Sequence, residues 1–259
     1  MDKFKIQSRF SGAVESYNAV AKVQLQAIDL TLKCMHQLSM DMDIRKRLLD
    51  LGSGTGLGAH QIHQQFVGCD YFAMDLSLSM LNYARKSCEN TCASICADAV
   101  KLPLKNQTFD LILSNSMFQW CEDLRAAFAE CRRVLREGGI LVFSTFGPST
   151  LRELRAAFSV VDTQSHVGQF VPLSEVEKAL GRAGFDQVEL HSVLLEQNYK
   201  NPIDLLRDLK AVGANYLQNS PKSMYGKSKF SKMLAHYPVS PHDQEAYPAT
   251  YEVIYGTAK

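Results

Sequence analysis

Short apolar segments alternate with stretches of helical periodicity between residues 47 and 146, and this alternation constrains the fold more than any other feature. Apolar runs that fit buried strands occupy residues 47–51, 71–75, 94–96, 109–116 and 139–146. Helical stretches separate them at residues 58–66, 79–89 and 123–136. Strands that alternate with helices at this interval form a parallel sheet with helices on both faces. The sequence therefore predicts an α/β fold.

Further elements are predicted on both sides of this region. Helical periodicity predicts N-terminal helices over residues 8–16 and 17–38. After Pro148 the pattern predicts helices over residues 149–160, 174–183, 202–217 and 222–236, and strands over residues 187–197 and 249–258. Ser174, with Glu177 three residues later, is expected to cap its helix. We expect an N-terminal helical cap at residues 1–42, an α/β core at 43–200, a helical lid insertion at 201–247 and the last core strand at 248–259.

The composition narrows the class of protein. A chain of 259 residues with an apolar fraction of 46% can bury the core of one α/β domain with a lid. Its formal net charge of +1, without a long basic run, argues against nucleic-acid binding. We see neither a signal peptide nor a segment of about 18 apolar residues that would span a membrane. The 7 scattered cysteines suit reduced thiols, so we expect a cytoplasmic protein.

Two groups of side chains resemble metal ligands but lack the usual spacing. Cys88, Cys92 and Cys96 recur every four residues, whereas zinc and cluster sites use closer pairs such as C-x-x-C. His60 and His63 lie one helical turn apart without a carboxylate partner. We therefore predict no metal site.

A glycine-rich turn follows the first strand of the alternating region. The segment LLDLGSGTGLGAHQI places glycine at positions 52, 54, 56 and 58. Glycines at this spacing let the backbone turn sharply and approach a flat ligand, and the following helix offers free amide groups. Dinucleotide-binding folds use the same device, so the glycines alone do not identify the ligand.

Three acids follow three successive strands, and they favour a cationic ligand. Asp50 lies two residues before the glycine turn, where the pyrophosphate of a dinucleotide would bring negative charge. A ligand of this shape that carries an ammonium and a sulfonium group is S-adenosylmethionine. Asp75 follows at the distance where a carboxylate can accept from both ribose hydroxyls. Asp98 is then expected to accept from the adenine amino group.

The segments LDLGSGTG, MDLS, ADA and FDLILSNSMFQW resemble the motifs of the class I S-adenosylmethionine-dependent methyltransferases, from residue 48 to about residue 146. The resemblance implies a Rossmann-like class I methyltransferase fold, with a mostly parallel seven-stranded sheet, N-terminal helices and a helical lid insertion. It also implies that the cofactor is S-adenosyl-L-methionine. The cofactor-binding residues would be Asp50, Gly52, Ser53, Gly54, Gly56, Asp75, Leu76, Asp98, Ala99 and Asn115. Ser53 replaces a cysteine that is common at this turn.

Four flanking segments extend the resemblance. RFSGAVESYNAVAKVQ, FQW, VDTQSHVGQFVP and LLRDLKAVGAN are similar to segments of the malonyl-[acyl-carrier protein] O-methyltransferases of biotin synthesis. This resemblance implies transfer of a methyl group to the free carboxylate of a malonyl thioester. The partner would be a malonyl-loaded acyl carrier protein, or malonyl-CoA.

Such a reaction needs positioning rather than a general base, because a carboxylate is already ionised at pH 7. The candidates for the substrate site are Tyr17, Gln119, Trp120, His166, Phe170 and Lys210. Lys210 or Arg9 could pair with the malonyl carboxylate or contact the carrier. An acidic carrier could also meet a lysine cluster, which consists of Lys222, Lys227, Lys229 and Lys232. Each of these side chains also has a structural alternative, as a packed ring or a solvated charge.

Three other functions fit parts of the pattern. A methyltransferase of another small acid or of a quinone shares the cofactor motifs. An NAD-dependent dehydrogenase shares the glycine turn, although Asp50 argues against it. An assembly factor of the methyltransferase type would keep the fold without the reaction.

Overall fold

The structure is a computed structural model that covers most of the chain. It describes residues 2–37, 46–86, 91–163, 166–214 and 227–259. In this part of the chain one seven-stranded sheet has the order β3-β2-β1-β4-β5-β7-β6. The strands are β1 (Arg47–Leu51), β2 (Asp70–Asp75), β3 (Thr91–Cys96), β4 (Phe109–Asn115), β5 (Leu135–Phe146), β6 (Val188–Tyr199) and β7 (Tyr247–Ala258). Only β7 runs antiparallel to its neighbours β5 and β6, so the predicted mostly parallel sheet is confirmed.

Helices cover both faces of this sheet, as predicted. They are α1 (Lys3–Val20), α2 (Lys22–Gln37), α3 (Ala59–Gln65), α4 (Leu78–Ala84), α5 (Leu124–Val134), α6 (Arg152–Ser159), α7 (Leu173–Arg182), α8 (Pro202–Ala211) and α9 (Lys227–Ala235). Leu48 of β1 belongs to a cluster with α2 and α3, whereas Leu49 belongs to a cluster with α5 and α7. Successive side chains of a strand point to opposite faces, so each central strand supplies both layers of the core.

A third apolar cluster lies beyond the carboxyl ends of the central strands. It joins the start of α2, helices α6, α8 and α9, and β7. Helices α8 and α9 occur between β6 and β7 in the sequence, within the region 201–247 that we expect to be a lid. Within the described residues, none of the helices has the length and apolar character needed to cross a membrane.

Some predicted boundaries were wrong. The break between the first two helices falls at Ala21, not at residue 16, so Tyr17 belongs to α1. The apolar periodicity of the sequence continues through this break and therefore does not reveal it. The break follows from tertiary packing, because α1 contacts α4 and α8 whereas α2 packs on the sheet. Ser174 does not cap α7, because the helix begins at Leu173 directly after Pro172, whose φ is −67°. The strand predicted at 139–146 begins at Leu135.

Candidate active site

The glycine turn is held against the end of β2. The backbone amides of Gly52 and Ser53 both donate to the carbonyl oxygen of Met74, at 2.7 and 2.9 Å. Gly52 has a φ of 81°, and a Cβ atom there would lie 2.5 Å from Cγ of Met117. Only glycine fits this position, because a side chain would both strain the backbone and collide with Met117.

A cavity of about 130 Å³ opens where β1 to β4 end, and we call it the acid-lined cavity. Parallel strands end at one edge of the sheet, so residues far apart in sequence meet there. The predicted cofactor residues that line it are Gly52, Gly54, Asp75, Leu76, Asp98, Ala99 and Asn115. Helix α1 contributes Lys3, Ile6, Phe10 and Tyr17 to the same lining.

Two carboxylates, those of Asp75 and Asp98, line the acid-lined cavity. Oδ2 of Asp75 accepts from the Gly54 amide at 2.9 Å, and Oδ1 accepts from the Ser77 amide at 2.7 Å. Burial raises the pKa of Asp75, and these hydrogen bonds oppose the rise. Asp98 pairs with Nζ of Lys3 at 2.5 Å and accepts from the Val100 amide at 3.1 Å. A carboxylate has about four lone-pair positions, so both retain acceptors for a ligand.

Asp50 lies in a separate, smaller space. It lines a cleft of about 40 Å³, the Asp50 cleft, together with Ser53 and other residues of the glycine turn. The hydroxyl of Tyr71 donates to Oδ2 of Asp50 at 2.5 Å. Burial raises the pKa of Asp50 to about 7, with a further contribution from Asp75, although the Tyr71 hydrogen bond opposes the shift. Gly56, also predicted to bind the cofactor, lines neither space.

The Asp50 cleft adjoins the acid-lined cavity. Tyr17, Gln24, Gly52, Gly54 and Asn115 line both. Among the described residues, Oγ of Ser53 and Oγ of Ser116 are buried hydroxyl oxygens without a hydrogen-bond partner. Buried polar atoms are normally paired, so these hydroxyls beside the two spaces fit a polar ligand.

A larger cavity of about 250 Å³ lies beside the acid-lined cavity, and we call it the aromatic cavity. The two share the lining residues Gln24, Gln119, Trp120, Phe146, Val212 and Ala214. A ligand in one cavity would therefore meet a ligand in the other at this shared wall. The arrangement suits group transfer between a cofactor and a second molecule.

Gln119 and Trp120 lie on a short 3₁₀ helix, Phe118–Trp120, that forms part of the shared wall. Nε2 of Gln119 donates to the Ser116 carbonyl at 2.6 Å, and its Oε1 accepts from Thr145 at 3.3 Å. The indole of Trp120 packs edge-on against Phe10, with ring centroids 5.1 Å apart. These contacts fix both side chains before a ligand arrives.

Tyr17 and Asn115 line the acid-lined cavity and the Asp50 cleft but not the aromatic cavity. Burial raises the pKa of Tyr17, with a contribution from Asp75, so the hydroxyl stays protonated at neutral pH. The amide of Asn115 donates to the Gln24 carbonyl at 3.0 Å and accepts from Ser144 at 2.6 Å. Asn115 thereby connects the end of β4 to α2.

His166 and Phe170, two of the predicted substrate-site residues, line the aromatic cavity. The imidazole of His166 stacks on Phe158 with centroids 4.1 Å apart, and its Nε2 lies 2.6 Å from Oδ1 of Asp162. Phe170 packs edge-on against Phe146 at 6.0 Å. The loop histidine is therefore buried and held in one orientation.

Lys210 and Arg9 line none of these three spaces. Lys210 is exposed in the last turn of α8. Of the lysine cluster, Lys222 lies outside the described residues, and Lys229 forms an ion pair with Asp162 at 3.3 Å. Cys88 of the weighed cysteine group also lies outside them, and within the described ranges no group of three or more His, Cys, Asp or Glu side chains could hold a metal ion.

Sequence reasoning missed several residues of the aromatic cavity. Gln24 could have been found, because it ends the segment RFSGAVESYNAVAKVQ that also contains Tyr17. Asp208 carried the same signal, because it lies in the segment LLRDLKAVGAN, whereas Tyr199 and Tyr251 gave none. The three residues come from β6, α8 and β7, and only the folded chain brings these elements to one wall.

Comparisons with known proteins agree with this geometry. Residues 49–143 match the family described as "Methyltransferase domain". A malonyl-[acyl-carrier protein] O-methyltransferase of Gallionella capsiferriformans is 35% identical over 100% of this chain and 91% of its own length. One of Methylococcus capsulatus is also 35% identical, over 95% of this chain and 89% of its own length.

Solved structures share the fold at lower identity. Phosphoethanolamine N-methyltransferase 2 of Haemonchus contortus, solved with S-adenosyl-L-methionine, is 16% identical with a TM-score of 0.57, and the match covers 96% of this chain and 56% of that protein. The [4+2]-cyclase SpnF is 20% identical with a TM-score of 0.55, over 90% of this chain and 80% of that one. These matches confirm the Rossmann-like methyltransferase fold. A fold shared with a cyclase does not by itself define the reaction.

Proposed function

Because the chain belongs to the family of malonyl-[acyl-carrier protein] O-methyltransferases, we propose that it methylates the free carboxylate of a malonyl thioester carried by an acyl carrier protein. It is an S-adenosyl-L-methionine-dependent methyltransferase. The structural observation that carries the proposal is the shared wall at Gln119 and Trp120, which joins the acid-lined cavity to the aromatic cavity.

We assign the cofactor to the acid-lined cavity and the Asp50 cleft. Asp50 would bind the ammonium group, Asp75 the ribose hydroxyls and Asp98 the adenine amino group. The close backbone at Gly52 and the unpaired hydroxyl of Ser53 support this fit. When bound, S-adenosyl-L-methionine supplies an electrophilic methyl group on a sulfonium. The remaining predicted contacts, from Gly54, Gly56, Leu76, Ala99 and Asn115, belong to the same assignment.

The protein's own contribution to the reaction is position and the exclusion of water. A malonyl carboxylate needs no base, so the chain has only to hold one oxygen in line with the methyl group. The Gln119 amide and the Trp120 indole N–H are the polar groups of the shared wall that could orient it. Phe146 and Phe10 keep this wall apolar. Tyr17, His166 and Phe170 would shape the two cavities on either side.

We assign Lys210 to the surface that meets the carrier rather than to the malonyl carboxylate. Its exposure on α8, outside all three spaces, supports this assignment. The carrier is expected to be acidic and to deliver the malonyl group on a phosphopantetheine arm. The lysines of α9, of which Lys229 and Lys232 are exposed, would meet the same partner.

A setting in biotin synthesis completes the proposal. The resemblance of the flanking segments supports a step early in the assembly of the pimeloyl chain. The described cysteines Cys34, Cys96, Cys121 and Cys131 are free thiols, which suits a reducing compartment such as the cytoplasm.

The test is an incubation with methyl-labelled S-adenosyl-L-methionine and a set of acceptors. The set contains malonyl-loaded carrier, malonyl-CoA, free malonate, aconitate and a quinone precursor. We expect label in the malonyl thioesters, in a product that mild base hydrolyses as a methyl ester. Label only in a free acid or a quinone would overturn the proposal, as would tight binding of S-adenosylhomocysteine without any transfer.

A genetic test addresses the pathway. The gene should restore growth without biotin to a bacterium whose malonyl-carrier methyltransferase has been deleted. A Gly52→Arg variant serves as the control that should fail, because its side chain would collide with Met117. Failure of the wild-type gene, with an active purified protein, would separate the reaction from biotin synthesis.

A further inference from the structure

Three polar side chains, Tyr199, Asp208 and Tyr251, share one wall of the aromatic cavity. They come from β6, α8 and β7. Tyr199 interacts electrostatically with both Asp208 and Tyr251. Tyr251 is 7% exposed, whereas Tyr199 and Asp208 are half-buried.

Asp208 is the acidic residue of this wall. Its neighbours in the lining include Leu206, Leu209 and Phe230, which give the surroundings an apolar character. Burial and the Asp208 carboxyl raise the pKa of Tyr199 to about 12, so the tyrosine remains a donor at neutral pH. One donor leaves most of the lone pairs of a carboxylate available. A half-buried carboxylate with apolar neighbours favours a ligand that brings an N–H or O–H group and disfavours a second anion.

The proposed substrate has amide N–H groups that could donate to Asp208 and a free carboxylate that Asp208 would repel. A malonyl thioester carries one free carboxylate, and its pantetheine arm carries amide N–H groups a few atoms beyond the sulfur. Free malonate has carboxylates at both ends and no donor. Asp208 would therefore face amide donors in the malonyl thioester and a second carboxylate in free malonate.

Resting on the proposed function, we propose that Asp208 is a specificity-determining residue that accepts a hydrogen bond from an amide N–H of the thioester arm and repels a second carboxylate. Tyr199 and Tyr251 hold Asp208 in place for this task. The free carboxylate of the substrate is thereby directed towards the shared wall at Gln119 and Trp120.

The test compares Asp208→Asn with the wild type on three acceptors: malonyl-pantetheine, a malonyl thioester of a simple alkyl thiol, and free malonate. We expect kcat/KM for malonyl-pantetheine to fall about tenfold, which corresponds to about 1.4 kcal/mol. The alkyl thioester lacks the amide, so its kcat/KM should change less than twofold. Transfer to malonate should rise, because the repelling charge is gone.

The matched control is Asp204→Asn, one turn earlier on α8. Asp204 is exposed and pairs with Arg207 at 2.7 Å, and it lines none of the cavities described above. This variant should leave all three acceptors unchanged. Affinity for S-adenosylhomocysteine, measured by calorimetry, reports folding of both variants. If Asp208→Asn does not fold, Tyr199→Phe should lower kcat/KM for malonyl-pantetheine selectively in the same way, but by a smaller factor.

The pattern across acceptors decides the outcome. An equal loss on both thioesters, without a gain on malonate, would mean that Asp208 only supports the structure and would overturn the inference. If the wild type transfers methyl groups to no malonyl thioester at all, the proposed function itself has failed. The two failures are therefore distinguishable.

Discussion

At the scale of single residues, the Asp50 carboxyl has a pKa that burial raises to about 7, so its charge changes near neutral pH. It is buried beneath the glycine turn, and the groups that face it are Tyr71 and Asp75 from β2 and Tyr17 from α1. The ring of His63 from α3 packs on Tyr71 at 4.7 Å, and burial lowers the pKa of His63. Because the pKa of Asp50 rises to about 7, the empty site holds a proton that an unfolded chain would release.

This proton predicts a pH-dependent affinity for the cofactor. Binding of the ammonium group requires ionised Asp50, so affinity for S-adenosylhomocysteine should weaken about tenfold from pH 8 to pH 6, one decade per unit below the pKa. Calorimetry in buffers of different ionisation enthalpy should show proton release on binding near pH 7. The stability of the cofactor-free protein should fall as pH rises from about 4 to about 7, because the folded state keeps a proton on Asp50 that the unfolded chain has released.

Asp50→Asn is the variant that isolates this effect. Its affinity should be weak and nearly independent of pH, while His63→Gln should keep the pH dependence of the wild type. An unchanged pH slope in Asp50→Asn would show that another group carries the proton.

At the scale of secondary-structure elements, the connection between β3 and β4 depends on one side chain of α5. The guanidinium of Arg133 donates to the carbonyl oxygens of Leu104 and Leu102 at 2.7 and 3.0 Å, and to Oδ1 of Asn106 at 2.9 Å. It also pairs with Glu130 at 2.7 Å. The connection carries Asp98 at its start, so this anchor also supports the acid-lined cavity.

Arg133→Ala should lower the free energy of unfolding by about 1–3 kcal/mol, because it leaves partly buried carbonyl oxygens unpaired. Arg132→Ala, on the neighbouring residue, removes one exposed hydrogen bond to the Gly184 carbonyl at 3.2 Å. It should cost less than about 0.5 kcal/mol. Denaturant unfolding measures both. Equal losses in the two variants would show that the anchor does not stabilise the connection.

At the scale of the whole molecule, the net charge of +1 provides no general attraction for an acidic partner. Any steering of the carrier must then come from a local surface. Helix α9 carries Lys227 and Lys232, and its Phe230 lines the aromatic cavity. Lys229 is engaged with Asp162, which also contacts His166, so it is left unchanged in the test.

Lys227→Glu with Lys232→Glu should raise the KM for malonyl-loaded carrier about threefold to tenfold at low salt, and less at high ionic strength. The KM for malonyl-pantetheine should not change, since it has no acidic protein surface. Lys33→Glu with Lys105→Glu makes the same change of net charge at exposed positions outside the cavities. A similar effect of both double variants would exclude a docking role for α9.

The sequence by itself predicted the sheet and the place where most of the proposed cofactor residues meet. The alternation of strands and helices predicts parallel strands, and parallel strands end at one edge, so Asp75 and Asp98 had to lie near the glycine turn. Local periodicity and chain order are sufficient to predict this arrangement. The family motifs added the identity of the cofactor, which spacing alone left open.

Only the tertiary structure decided which side chains share a wall. Tyr199, Asp208 and Tyr251 meet because β6 pairs with β7 and α8 packs against β6, which brings Tyr251 to residues more than forty positions earlier in the chain. The Asp50 carboxylate accepts a hydrogen bond from the Tyr71 hydroxyl and lies in the separate Asp50 cleft. Lys210 lines none of the three cavities. No local pattern encodes such contacts, because they arise when apolar surfaces of distant elements are buried together.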